Sequence, residues 1–129
     1  MKEPYWFTRE ECLALHDLIL SQYGGIVGVR DENLLESALA RPRQRFVYGN
    51  AHPAEIAAAY AAGIIQNHPF FDGNKRTGFM LGAGFLERNG LDFFATEADA
   101  VIRTLALAAG EMTEADYARW LGENSRFSV

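Results

Sequence analysis

Helix-start signals recur along this chain and almost nothing in it reads as strand, which confines it to an all-α fold. Thr8 followed by Glu11 has the capping-box pattern, in which a hydroxyl and a carboxylate answer each other's free backbone N–H groups. Behind it Cys12, Leu15, His16, Ile19, Leu20 and Tyr23 fall on one helical face, and Gly24-Gly25 ends the segment. A second helix is expected from about Asp31 and should stop before Pro42, because the residue preceding a proline is pushed out of the helical region. Pro53 suits the first turn of a third, Ala-rich helix reaching about Gln66. A fourth is expected from about Asn74 to Asn89, closed by Gly90. Thr96 with Asp99 opens a fifth, and Thr113 with Asp116 a short sixth ending near Gly122. The expectation is one domain, residues 1–129, built as a bundle of about six helices. Gly25 to Arg30 is short, glycine-punctuated and β-branched, and reads as an exposed flap or hairpin.

The fourth helix carries Gly78, Gly82 and Gly84, each costing about 1 kcal/mol relative to alanine in a helix interior. Close backbone packing inside a buried helix would offset that. The Gly78 and Gly82 spacing also occurs in membrane helix dimers, but Arg76, Glu87 and Arg88 bound too short an apolar run for a ~20-residue span. No other stretch spans a membrane either, and the N-terminal residues Lys2, Glu3, Arg9, Glu10 and Glu11 lack the apolar run of a signal peptide. With a single cysteine, Cys12, no internal disulfide forms, so a cytoplasmic setting is expected and Cys12 reads as a packing residue. The formal charge is −5, with 17 acidic against 12 basic side chains, so no global field draws the chain to nucleic acid or an anionic membrane. Its cations are local: Arg41, Arg43 and Arg45 form one island, open to reading as a solvated loop or as a contact for target or nucleotide.

Between the third and fourth helices lies His68-Pro-Phe-Phe-Asp-Gly-Asn-Lys-Arg76. His68 can exchange a proton near neutral pH. Asp72 can hold a hard cation such as Mg2+, which usually binds through one or two carboxylates plus substrate phosphates, or it can cap the following helix. Gly73 permits a sharp turn, after which the amides of Gly73, Asn74 and Lys75 would point from a helix N-terminus toward an anion. Lys75 and Arg76 add positive charge beside that position, and Phe70 reads as a buried anchor that gives the loop one shape. His16 reads as core and His52 as a helix-start residue.

These residues resemble the Fic/Doc family, whose broad motif runs His-Pro-Phe, two residues, Gly-Asn-Gly-Arg, two residues, Arg. His68, Pro69, Phe70, Gly73, Asn74 and Arg76 match; Lys75 replaces the Gly of adenylylating Fic members, and Phe79 their final Arg. Both departures resemble the death-on-curing (Doc) branch, whose signature is close to His-x-Phe-x-Asp-Ala/Gly-Asn-Lys-Arg-Thr and fits Asp72 through Thr77. The stretch from Gly24 through Pro42 also looks like the Doc N-terminal region.

The resemblance implies an ATP-dependent transferase that modifies a protein hydroxyl, with the translation factor elongation factor Tu as the family's target. His68 would be the general base, Asp72 would hold Mg2+, and Gly73, Asn74, Lys75 and Arg76 would bind phosphate. From position and composition, the segment Gly25, Ile26, Val27, Gly28, Val29 and Arg30 would dock the target by strand addition. Lys75 fills the space an α-phosphate needs, so the expected reaction is γ-phosphoryl transfer, with AMP transfer as the alternative. Fic enzymes restrained in cis carry Ser/Thr, three residues, then Glu followed by Gly or Asn; Gly28 precedes Glu32-Asn33 and Arg119 precedes Glu123-Asn124, so neither pair fits. A separate antitoxin, whose C-terminal segment covers a Doc-like toxin, is the implied restraint. Two other classes compete: a metal-dependent nuclease or phosphohydrolase, which would need ligands not visible as a second cluster, and a non-catalytic binding module of the same fold.

Overall fold

The computed structural model describes residues 2–49 and 51–129 and holds six helices: α1 (Arg9–Tyr23), α2 (Glu32–Val47), α3 (Pro53–Asn67), α4 (Asn74–Arg88), α5 (Glu97–Ala108) and α6 (Glu114–Glu123). Their starts follow the capping chemistry. Thr8 and Glu11 form the reciprocal capping box, and Asp31, Thr96 and Thr113 each accept a first-turn N–H of α2, α5 and α6. His52 does the same for α3 through Nδ1, which accepts from the Ala54 N–H at 3.0 Å, as a helix-start residue should.

The Ala-rich α3 is the axis of the core. Nearly all of it is buried, and it packs against α2, α4 and α6. Its small side chains let α4 approach closely: a Cβ at Gly78 would stand 2.8 Å from Ile65 Cγ1 and 2.9 Å from Ala61 O, and one at Gly82 would stand 3.0 Å from Ala57 O. The close-packing reading is therefore correct for Gly78 and Gly82, where a β-methyl would enter space occupied by α3, while Gly84 faces the Phe7 ring.

Two features differ from the sequence expectation, and one decides between the alternatives it left open. First, α2 does not stop before Pro42 but runs through it to Val47, with Pro42 buried inside the helix. Leu35, Ala38 and Pro42 form one buried stripe at helical spacing. A proline in a helix interior removes a rung and costs about 3 kcal/mol, and here the missing rung is the one to Ala38 O. That carbonyl lies at the contact with α3, where a Cβ on Gly63 would meet it at 3.1 Å. Burial of the stripe thus outweighs the local penalty.

Second, residues 25–30 form no hairpin. The segment is an extended flap whose single antiparallel bridge, Val29 with Phe70, joins it to the loop between α3 and α4. Phe71 N–H donates to Gly28 O at 3.3 Å, and the Arg30 and Asp31 N–H groups both donate to Pro69 O, at 2.6 and 3.1 Å. Third, β1 (Leu91–Phe93) and β2 (Ser125–Phe127) pair antiparallel, Leu91 opposite Phe127. Three residues give too short an alternation to announce a strand. Beyond these elements, no helix among the described residues is long and apolar enough to cross a membrane.

Candidate active site

The turn from α3 into α4 is held from three sides. His68 is the C-cap of α3 and takes the left-handed conformation, φ 55° and ψ 52°, alone among non-glycine residues described. Such a conformation is strained for a residue with a Cβ and persists only where surrounding contacts enforce it. The Arg30 side chain supplies part of that enforcement: Nε donates to His68 O at 2.8 Å and an Nη to Asn67 O at 3.1 Å. Asn67 in turn donates from its side chain to Leu34 O at 3.0 Å. His68 itself is exposed, so its imidazole is open to a reactant.

Phe70 is fully buried, as an anchor should be. Its backbone is clasped by Asn74, whose Oδ1 accepts from Phe70 N–H at 3.0 Å and whose Nδ2 donates to Phe70 O at 2.9 Å. Asn74 is itself buried, so its amide side chain is committed to the shape of the loop, and what it presents to an anion is its backbone N–H. From the other side His16 stacks on the Phe70 ring and its Nε2 lies 2.8 Å from Asp72 O. The expectation that His16 belongs to the core is correct, yet it also grips the loop, a contact 56 residues distant that no local spacing could announce.

Asp72 does not cap α4, which has no side-chain cap; its N-cap is Gly73, at φ 81°. Asp72 Oδ2 instead accepts from Ile26 N–H at 2.6 Å, which ties the flap to the loop. Oδ1 has no protein partner among the described residues, and the carboxylate is half-buried. One free carboxylate oxygen beside the uncapped first turn of α4 fits a cation that also takes water and phosphate oxygens. Among the described residues no group of three or more His, Cys, Asp or Glu side chains could hold a metal without such help.

Lys75 and Arg76 are exposed on that first turn. The Arg76 guanidinium lies over the Tyr23 ring, 4.0 Å from its centroid, which steadies an otherwise mobile cation. Ile26 and Val27 of the flap and Phe71 of the loop are exposed apolar side chains. Arg30, grouped with the flap from sequence, points its side chain at the end of α3 instead. The arginine island is partnered inside the chain: Arg41 pairs with Glu114, Arg45 with Glu55 at 2.5 Å, and Arg43 lies over Trp6 at 5.0 Å.

In short, His68 at the end of α3 and Asp72 just before α4 stand on one short loop that the flap holds by backbone and side-chain hydrogen bonds, a set of groups able to move a proton and hold a phosphate. The model of the Fic/DOC family matches residues 6–86. "Protein kinase doc" of Escherichia phage P1 is 35% identical over 105 residues, which cover 81% of this chain and 82% of the relative. "Toxin Doc" of Mycolicibacterium smegmatis is 40% identical over 93 residues, 70% of this chain and 68% of the relative.

Proposed function

This chain belongs to the Fic/Doc family, and from that premise we propose that it is a Doc-like toxin that phosphorylates a protein hydroxyl at the expense of ATP. Lys75 carries the choice of reaction. It stands in the first turn of α4, where glycine in the adenylylating pattern leaves room for an α-phosphate, and a relative 35% identical over 105 residues is named a kinase. The target proposed is a hydroxyl, a threonine by preference, of a translation factor such as elongation factor Tu, and its modification would halt translation.

In this mechanism the exposed His68 imidazole takes the proton from the target hydroxyl as its oxygen attacks the γ-phosphorus and ADP departs. The N–H groups opening α4, with Lys75 and Arg76, offset the charge that develops on the transferred group. Asp72 would hold Mg2+ through its free oxygen; the ion supplies neutralisation of phosphate charge. The Asn74 side chain and Phe70 keep the loop in shape without touching the reactants. One edge of the flap is stitched to the loop, so an incoming target segment would add at its other edge, beside Ile26 and Val27.

Incubation with a candidate target and ATP labelled at the α or the γ position tests the reaction. Label should pass from the γ position in wild type and not in His68→Ala; transfer from the α position would instead make this an AMP transferase. Hydrolysis of RNA without a protein acceptor would favour the nuclease class. Growth arrest on expression, relieved by a co-expressed antitoxin, tests the toxin reading, and normal growth with the wild-type chain alone would refute it.

A further inference from the structure

We propose that Arg30 is a positioning residue for His68, setting the direction of the imidazole through the backbone rather than contacting any reactant. This rests on the reading of His68 as the general base. The C-terminal carbonyls of a helix have no intrahelical donors, and a cation there also meets the negative end of the helix dipole. At the end of α3 those carbonyls belong to Asn67 and to His68 itself, and the Arg30 guanidinium forks across both, at 3.1 and 2.8 Å. The residue so held is the strained one, at φ 55°. Relaxing that dihedral would swing the Cα–Cβ bond and redirect the imidazole.

The hold is continuous with the flap. Arg30 donates its own N–H to Pro69 O, Val29 bridges Phe70, and Ile26 N–H reaches Asp72. A target seated on the exposed residues Ile26 and Val27 would therefore press on the segment whose Arg30 side chain holds the base. Lysine cannot replace the fork, because its ammonium lacks the planar pair of donors.

Kinetics and a substrate-free readout together test this. In the full chain, Arg30→Met should lower kcat about ten-fold and leave both KM values within about two-fold, because a misplaced base slows the chemical step and not binding. Arg30→Lys should fall between it and wild type, whereas Val27→Ser should raise the KM for the target alone. In 15N-labelled protein, Arg30→Met should shift the His68 imidazole and amide resonances and alter its HN–Hα coupling, which reads φ; Val27→Ser should leave them in place. Arg30 is exposed, so the fold should survive; should Arg30→Met fail to fold, Arg30→Lys carries the same comparison. A wild-type kcat, or a loss confined to the target's KM with the His68 signals unmoved, would overturn the proposal. If the wild-type chain modifies no protein offered, the enzyme reading falls separately, and the spectra decide alone: unmoved His68 signals refute the hold of Arg30 on the loop.

Discussion

The His16 imidazole lies flat on the Phe70 ring, 3.8 Å between centroids and 10° between planes, while its Nε2 meets Asp72 O at 2.8 Å. One buried side chain of α1 thus fixes both the anchor of the loop and the backbone of its carboxylate. Truncating the anchor should be costly. Phe70→Ala should lower stability by about 3–5 kcal/mol, the usual range for emptying an aromatic core site, as read by urea denaturation. A loss below about 1 kcal/mol would mean that the loop does not depend on this packing.

Asn74 is the second support. Asn74→Ala would strip partners from both the N–H and the C=O of buried Phe70, at about 1–3 kcal/mol for each unsatisfied group. Stability should fall by roughly 3 kcal/mol, and transfer activity should drop in the fraction that stays folded. A variant with wild-type stability would show that the clasp is dispensable.

The contact of α4 with α3 leaves no room for a methyl group. Gly78→Ala should destabilise by about 1–3 kcal/mol although alanine is the better helix former, because its Cβ would meet Ile65 and the Ala61 carbonyl below 3.0 Å. Gly84→Ala should be milder, since its Cβ would meet only Phe7 Cζ at 3.1 Å, the end of a partly buried ring. Thermal melts of the two variants side by side would test the order.

Glu11 links α1 to α4 by pairing with Arg88. That guanidinium, and then the Thr8 N–H, hold the Glu11 carboxyl down from the ordinary 4.5 to about 2. A folded value below the unfolded one means that the contribution is complete above about pH 4.5 and is lost as pH falls toward about 2. Both side chains are more than a third exposed, so solvent screening keeps it below about 1 kcal/mol. Glu11→Gln should therefore flatten the acid limb of the stability profile slightly, which unfolding midpoints measured between pH 5 and pH 2 would register.

Much of the helical scaffold was legible because caps and apolar periodicity are local signals. Thr8, Thr96 and Thr113 act within three residues of themselves, and the small residues of α3 and α4 announce close packing by their lack of volume. Pro42 misled for the same reason: its penalty is local, whereas the burial of Leu35, Ala38 and Pro42 against α3 depends on a partner the local rule does not include. The strands at Leu91–Phe93 and Ser125–Phe127 were hidden because each finds its hydrogen bonds only in the other, more than thirty residues away.

The site divides in the same way. By itself, the run from His68 to Arg76 determined which groups are present, their order, and the family they resemble, since residue chemistry and spacing along one turn need no partner. Only the tertiary structure decided how they are held: Arg30 on the end of α3, His16 beneath Phe70, Ile26 on Asp72, and the Asn74 side chain turned inward instead of toward an anion. Each of those contacts joins segments whose meeting depends on how α1, α3 and α4 pack, or, for Asn74, on which way a buried loop faces. Directional hydrogen bonds and ring stacking act over a few ångströms, so no pattern read along the chain could have specified them.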